Sequence, residues 1–514
     1  MGCVWSLMKP KHEPISFSRW GLWLILTVVL LAAGLYLGRE VGGEGLVREG
    51  ICKELLAGQT PGRQGVVSSI WWGPFPTLAI LPLAFLLPAT LCLPACLVVS
   101  ALFGAATLVL LEQSLRMWGT GRWRWWLVLG LALNPAFLEH CWNGSSLPMV
   151  TCLLVLSLYS VTAWVHGRRL LDLIWFAFGS ALLLGTGYEM SGWVIAAVCV
   201  VAIEEWRRPV SGMEKRAVLL VALLPLAYAV ALWLLMCWLI MGDPLYAVRS
   251  LLVPGPGPGN ALILPDLLWW CHAGLAALVG GLLVLALRRH DRGGVCLTVL
   301  GLALPGVAGL MAWYERLWDA APLLLAFLPA AVLALGHGLA KREPSDDSNE
   351  AGSLARRPHR TAVILWVLLL LVVADVIPLA LSTGSVPVRP RVVEQAASGV
   401  VSQFSWLPEL ERHVRHRTPF AKVFVCGFES FALLQPDSSP VFLHALDFNF
   451  DKSKHDYYGQ VLYLLIHRPE QRNAMDSIHW KYRNIYVQGG KDTLYDSDWG
   501  DWRLFELIQA TASR

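Results

Sequence analysis

The chain has 514 residues, of which 56% are hydrophobic and only 15% charged, whereas an ordinary soluble domain has roughly 25% charged residues. Its net charge of +4 is spread along short loops and forms no basic face, which argues against a nucleic-acid partner. Apolar runs near the roughly 20 residues that a bilayer-spanning helix needs recur along the chain, and they predict a polytopic membrane protein.

The first apolar run, 20–38, is too long for the apolar segment of a signal peptide and is followed by no small-residue cleavage site. We therefore expect it to remain as an anchor, with residues 1–19 on the cytoplasmic side because they carry Lys9, Lys11 and Arg19. About twelve runs are predicted to be spans. They lie near 20–38, 71–88, 91–112, 125–139, 147–165, 171–185, 189–204, 218–241, 265–287, 294–313, 320–338 and 361–381.

The distribution of Lys and Arg between the loops predicts their sidedness. Loops rich in these residues are expected in the cytoplasm: 168–169, 207–216, 288–292 and the polar linker 341–360. Loops nearly free of them are expected outside: 139–147, 185–193, 243–265 and 314–319. An inside N-terminus and an outside tail require an odd number of crossings, about eleven or thirteen. The proline-interrupted stretch 71–96 is the weakest span, and it could be broken or re-entrant.

Residues 382–514 form a polar tail, which we expect to be an extracytoplasmic α/β domain separate from the transmembrane domain 20–381. Its hydrophobic spacing predicts helices at 391–417, 428–435 and 468–483. Strands are predicted at 422–425, 441–444, 461–465, 485–487 and 502–505. The predicted fold class is thus an all-α polytopic membrane protein with a small C-terminal α/β domain.

The sequence predicts neither a metal site nor a cofactor. The eleven cysteines include no CxxC pair, and most fall in or beside apolar spans, which is typical of small buried hydrophobic residues. Residues 447–451 match the first half of a calcium loop, but Lys452 replaces its glycine and Tyr458 its final glutamate.

The first outer loop, 39–70, holds the most informative polar residues. Glu44 lies just beyond the first span, and a short amphipathic helix ending in Leu55-Leu56-Ala57-Gly58 is predicted after it. The chain then returns to the bilayer through Trp71-Trp72-Gly73-Pro74. This order resembles the GT-C superfamily of glycosyltransferases, which use polyprenyl-phosphate-linked sugars.

Other stretches between residues 20 and 340 resemble the same superfamily. Asn134-Pro135-Ala136-Phe137-Leu138 followed by Gly144-Ser145-Ser146 is similar to a motif that opens a new span. A helix closing in Gly187-Tyr188-Glu189 and the stretch Arg316–Pro322 are similar to two further motifs. The resemblance implies a lipid-linked sugar donor, a glycan, lipid or protein acceptor, and a location in a cell membrane such as a bacterial inner membrane.

The resemblance also implies roles for single residues. Glu44 takes the position of the general base, although the superfamily usually has aspartate there, often with a second acid where this chain has Gly45. Arg316 is expected to bind the lipid phosphate or, alternatively, to extend to the membrane interface beside a local carboxylate. Glu189 is expected to line the acceptor cavity. Arg48, four residues after Glu44, either contributes to substrate binding or pairs with Glu44 in a merely structural contact.

Two other functions stay open. A transporter would need internal repeats and charged residues at span midpoints, whereas the acids of this chain gather in its outer loops. A non-catalytic scaffold with a GT-C-like core is consistent with two departures from the superfamily pattern: Gly45 in place of a second acid, and Ser146 or Leu147 where many relatives have a further acid. Glu49 and Glu54 lie a turn or more beyond Glu44 and are expected to be dispensable for chemistry.

Overall fold

The structure is a computed structural model that describes the chain in several stretches. They are residues 17–37, 43–58, 60–67, 73–87, 94–121, 123–246, 248, 266–288, 290–313, 321–339, 406–417, 422–426, 442–445, 461–468, 484–490, 493–500 and 502–507. The expected last span 361–381, the linker 341–360 and Arg316 lie outside the described residues.

The predicted spans within the described residues are helical. The helices are α1 (Phe17–Leu37), α2 (Gly43–Leu56), α3 (Thr60–Val67), α4 (Phe75–Leu86), α5 (Ala95–Met117), α6 (Trp123–Ala132), α7 (Pro135–Trp142), α8 (Leu147–Gly167), α9 (Leu170–Leu184), α10 (Met190–Trp206), α11 (Gly212–Met241), α12 (Asp266–Arg288), α13 (Arg292–Trp313) and α14 (Ala321–Leu339). Among them α5, α8 and α11 are long and apolar enough to cross a bilayer by length and composition alone. The chain is therefore a polytopic helical membrane protein.

Two predicted spans differ from single straight helices. The run 125–139 is divided into α6 and α7 at Asn134, whose side chain accepts a hydrogen bond from the Phe137 amide at 2.9 Å. Pro135 begins α7, where its missing N–H costs nothing. Helix α4 has 12 residues, or about 18 Å, which is shorter than the roughly 30 Å hydrocarbon layer. That length is compatible with a re-entrant segment.

The chain divides into two compact units: residues 1–34, 100–231 and 263–388 form the first, and residues 35–99, 232–262 and 389–514 form the second. In the first unit, α8 is buried along almost its whole length and packs against α9, α13 and α14. A Cβ atom on Gly179 would lie 2.8 Å from Ser157 Oγ, so glycine permits the close approach of α9 to α8. Small residues thus take the place of large apolar ones at this interface.

Several loops predicted to be cytoplasmic meet at one end of the first unit, which we call the arginine-rich end. Arg168, after α8, pairs with Glu204 and Glu205 at the end of α10, at 3.5 and 3.4 Å. His337, near the end of α14, lies 2.8 Å from the carboxylate of Asp291 in the turn between α12 and α13. The structure brings these loops together, and their cytoplasmic location stays a prediction.

The C-terminal part of the second unit is an α/β domain, as predicted. Its strands are β1 (Lys422–Cys426), β2 (Phe442–Ala445), β3 (Val461–His467), β4 (Thr493–Trp499) and β5 (Trp502–Leu507), in the sheet order β2-β1-β3-β5-β4. Strands β2, β1 and β3 are parallel to one another, whereas β5 is antiparallel to both β3 and β4. Helix α15 (Leu407–Arg417) buries Leu410 and Val414 in the hydrophobic core of this sheet.

One prediction for the tail was wrong, and one strand was not predicted. The segment 485–487 is the helical turn α16 (Ile485–Gln488), which follows Asn484 in a left-handed conformation with φ of 67°. Strand β4 was not predicted, because its Asp-Ser-Asp sequence lies on an edge strand that has no regular alternation of buried residues. The part of the predicted helix 391–417 before residue 406 and the predicted helix 428–435 lie outside the described residues, as do positions 469–483 of the predicted helix 468–483.

Candidate functional site

A fully buried arginine joins the predicted first outer loop to α4. Arg48 Nε donates a hydrogen bond to Glu44 Oε1 at 2.9 Å, one helical turn earlier in α2. Its Nη1 donates to Thr77 Oγ1 in α4 at 2.9 Å and to the carbonyl oxygen of Gly73 at 3.4 Å. The planar guanidinium, with donors in a fixed fork, suits such a branched contact. Arg48 and Glu44, two of the predicted site residues, therefore lie together.

The structure corrects the predicted position of Glu44. The sequence indicated a loop acid followed by a helix, but α2 begins at Gly43 and Glu44 lies in its first turn. A carboxylate is favourable there because the helix N-terminus carries partial positive charge. Its side chain is 18% exposed, so the pair with Arg48 is neither a solvated surface contact nor fully buried. The predicted end of the helix is correct: α2 stops at Leu56, before Gly58 with φ of 72°.

Glu49 has a structural role in the same helix. Its Oε2 accepts a hydrogen bond from the backbone N–H of Cys96 at 3.1 Å, in the first turn of α5. Its Oε1 lies 3.6 Å from Lys53 Nζ. The first amides of a helix have no partner within the helix, so this carboxylate satisfies one of them. Glu49 thus ties α2 to the beginning of α5.

Glu54 differs from the other acids of α2. It is 5% exposed, and among the described residues its Oε2 has no hydrogen-bond partner. Burial raises the pKa of this carboxyl from 4.5 to about 7. Helix α3 covers it closely, because a Cβ atom on Gly62 would lie 2.6 Å from Glu54 Cβ. Sequence reasoning missed this environment, and the glycine spacing of α3 was the one signal for it.

Cys52, in α2, has a protonated thiol that contacts α4. Its Sγ donates to the carbonyl oxygen of Thr77 at 3.3 Å, and burial raises its pKa to about 12. A thiol that stays protonated at neutral pH is a poor nucleophile. The polar chemistry available in this part of the chain therefore rests on the carboxylates and Arg48.

The remaining predicted residues, Glu189 and Arg316, belong to other parts of the chain. Glu189 belongs to the first unit, directly precedes α10 and is half-buried. Its carboxylate folds over Gly187 so closely that a Cβ atom there would overlap it. Arg316 falls outside the described residues.

The stretches that resemble superfamily motifs near residues 134–146 have local structural roles. Ser145 Oγ lies 2.9 Å from His140 Nδ1, and the Ser145 amide donates to Asn143 Oδ1 at 3.0 Å. The carbonyl oxygen of Ser145 accepts from Ser100 Oγ at 2.9 Å, which fixes α5 beside the start of α8. The polar residues here shape a turn between helices.

Comparisons with known proteins gave one kind of match. No protein-family model and no curated protein sequence matches the chain. The chain is similar to the crystal structure of ArnT from Cupriavidus metallidurans bound to undecaprenyl phosphate, with 14% identity and a TM-score of 0.49, over 96% of this chain and 98% of that one. The apo structure of the same protein matches with 13% identity and a TM-score of 0.49, over 95% and 98% of the two chains. ArnT is a GT-C glycosyltransferase, and at this identity no residue of the present chain takes a role from it.

Proposed function

We propose that the chain is a membrane glycosyltransferase that transfers a sugar from a polyprenyl-phosphate-linked donor to an acceptor on the extracytoplasmic face. The observation that supports this most is the Glu44–Arg48 pair, linked to Thr77 at the point of re-entry. Glu44 and Arg48 occupy the predicted first outer loop, where the GT-C resemblance of the sequence implies the catalytic carboxylate.

The proposed chemistry assigns the proton to Glu44. Its carboxylate takes the proton of an acceptor hydroxyl as that oxygen bonds to the anomeric carbon of the sugar. The bond between the anomeric carbon and the phosphate oxygen breaks, and the lipid phosphate leaves with the bonding electrons. Arg48 acts as a positioning residue because its Nε and Nη1 hold Glu44 against α4. We further propose that Arg316 binds the lipid phosphate and that Glu189 lines the acceptor cavity.

A non-catalytic scaffold is the second candidate, and one observation favours it. Glu44 Oε1 is already engaged by a buried guanidinium, as it would be in a pair that only joins α2 to α4. The two candidates make opposite predictions for a substitution of Glu44 that keeps its hydrogen bond with Arg48 but leaves a side chain that cannot accept a proton.

Glu44→Gln is that substitution. If Glu44 is the base, transfer from polyprenyl-phosphate sugars in proteoliposomes should fall by about 10²-fold or more, while binding of the lipid donor changes little. Glu214→Gln is the control, because Glu214 is a half-exposed carboxylate that also pairs with an arginine, Arg208, at 3.7 Å. It should transfer as the wild type does.

Two results would contradict the proposal in different ways. Full activity of Glu44→Gln would show that another group takes the proton. The second result is a folded wild-type protein, with a cooperative melting transition, that transfers no sugar from any carrier-linked donor. That result would favour the scaffold.

A further inference from the structure

Helix α15 of the C-terminal domain has an outer face that the sheet does not cover. Its inner face buries Leu410 and Val414 in the core, together with Leu504 of β5. The outer face and Trp499 line an open cleft of about 1,020 Å³. Its described lining includes Arg412, His413, Arg415, His416, Arg417 and Trp499.

The indole of Trp499 is held at the edge of this cleft. Its Nε1 donates a hydrogen bond to Ser497 Oγ at 2.8 Å. Its ring lies 5.7 Å from the ring of His413, edge to face, and 6.3 Å from that of Trp406. The indole is partly exposed, so it offers a fixed aromatic surface at the edge of a wet cleft. Such a surface suits the apolar face of a sugar ring.

A buried carboxylate orients the donors beside Trp499. Asp496 is 5% exposed at its side chain, accepts from Ser497 Oγ at 2.8 Å, lies 2.9 Å from His413 Nε2 and pairs with Arg417. Burial opposes ionisation of this carboxyl, but the bonds from Ser497 and His413 hold its pKa below the ordinary value. Asp496 therefore holds the side chains of His413 and Arg417 in place beside Trp499.

Among the described residues that line the cleft, cations outnumber anions. Three arginines stand against two glutamates, and two histidines add positive charge when they are protonated. Arg415 is paired with Glu411 at 2.6 Å, and Arg417 with Asp496. Arg412 is exposed, and among the described residues it has no ion pair. A guanidinium in this position attracts a carboxylate or phosphate.

We propose that this cleft binds an acidic saccharide, with a sugar ring against Trp499 and the acid group at Arg412 and His416. A neutral sugar would use the indole alone, and a free phosphate would use the cations alone. The use of the cleft as an acceptor site rests on the proposed function, whereas saccharide binding itself does not.

The test is calorimetric titration of the full-length protein in detergent with tetragalacturonate, an acidic oligosaccharide, and with neutral maltotetraose, at physiological ionic strength. The acidic oligosaccharide should bind about tenfold or more tightly than the neutral one, which is the contribution of one charge-assisted contact. Arg412→Ala should abolish that preference. Arg468→Ala removes an exposed arginine of the same domain outside the cleft lining and should bind as the wild type does.

Trp499→Ala should weaken binding of both oligosaccharides, and Trp499→Phe should restore part of it if the aromatic face is what binds. Melting temperatures of these variants separate lost binding from lost folding. Because no donor or turnover is involved, Glu44→Gln should bind tetragalacturonate normally, so failure here is distinct from failure of the proposed function.

Three outcomes would overturn the proposal. The first is equal affinity of the wild type for the acidic and the neutral oligosaccharide. The second is an equal loss in Arg412→Ala and Arg468→Ala, which would indicate unspecific charge attraction. The third is binding to phosphatidylglycerol vesicles without binding to tetragalacturonate, which would assign the face to a lipid surface.

Discussion

The charged cluster at the arginine-rich end and the one on α2 differ in which of their ionisable side chains are buried and which are paired. At the arginine-rich end, Glu204 and Glu205 are both nearly buried, and both are paired with Arg168, whose side chain is 22% exposed. Arg208 adds a second cation to Glu205 at 3.0 Å. Each carboxylate there has a cation, and each cation reaches water. Such a cluster joins helix ends with every buried carboxylate paired to a cation.

The cluster on α2 is unbalanced by comparison. Its arginine, Arg48, is fully buried, and its carboxylate partner Glu44 is the partly exposed member. A second carboxylate, Glu54, is buried, and one of its oxygens has no hydrogen-bond partner in the part of the chain that the structure describes. Burying an unpaired ionisable group costs free energy, and such groups gather at functional sites. The difference indicates that α2 keeps an arrangement which stability alone does not favour.

Removal of Arg48 should show the largest effect of this comparison. Arg48→Met leaves Glu44 and the Thr77 hydroxyl without their buried donor, and breaking a buried pair from one side costs about 3–5 kcal/mol. Arg208→Met is the matched variant at the arginine-rich end, and it should cost about 1 kcal/mol or less because Glu205 keeps Arg168. Denaturation of both variants in detergent measures the two losses. Equal losses would show that the clusters do not differ.

Glu54 predicts a pH dependence of stability with a defined sign. The pKa of its carboxyl is about 7 in the folded protein and 4.5 in a model peptide, so the folded state binds the proton more tightly. The associated stability is fully present below pH 4.5 and is lost as the pH rises through about 7. Glu54→Gln, which is always neutral, should therefore be more stable than the wild type at pH 8 by up to about 3 kcal/mol.

The measurement is the melting temperature of wild type and Glu54→Gln between pH 4.5 and pH 8. The two curves should meet at the acidic end and separate through neutrality. Glu214→Gln, at a half-exposed carboxylate, should follow the wild type throughout. Parallel curves for Glu54→Gln and the wild type would mean that this carboxyl finds a partner or water.

The helical part of the fold could be predicted from the sequence because its signal is local. An apolar run of bilayer length forms a helix whatever surrounds it, since its backbone must be satisfied within the segment. How a span packs is a different matter. In their most apolar windows, α8 is 89% buried and α11 only 11%, although α11 has the higher mean hydropathy of the two. The Ser and Thr residues of α8, such as Ser157 and Thr162, were the usable signal.

The candidate site could be predicted only in part. Proximity of Glu44 and Arg48 follows from their spacing of four residues on a helix. The contact of Arg48 with Thr77 joins residues 29 positions apart, and no local pattern predicts it. The same holds for Glu49 and Cys96, 47 positions apart, so a carboxylate expected to be dispensable proves to link two helices.

Substitution of Glu49 should have the smallest predicted effect on stability. It also distinguishes a structural carboxylate in α2 from a chemical one. Glu49→Gln keeps a carbonyl oxygen that can still accept from the Cys96 amide but loses the charge that favours the helix N-terminus and the contact with Lys53. It should cost about 1 kcal/mol or less at neutral pH, and Glu49→Ala, which also removes the acceptor, about 1–2 kcal/mol. Neither variant should reduce sugar transfer at a temperature where it stays folded, because the side chain serves α5. If Glu49→Gln lost transfer without losing stability, the division of α2 into a chemical carboxylate at Glu44 and a structural one at Glu49 would be wrong.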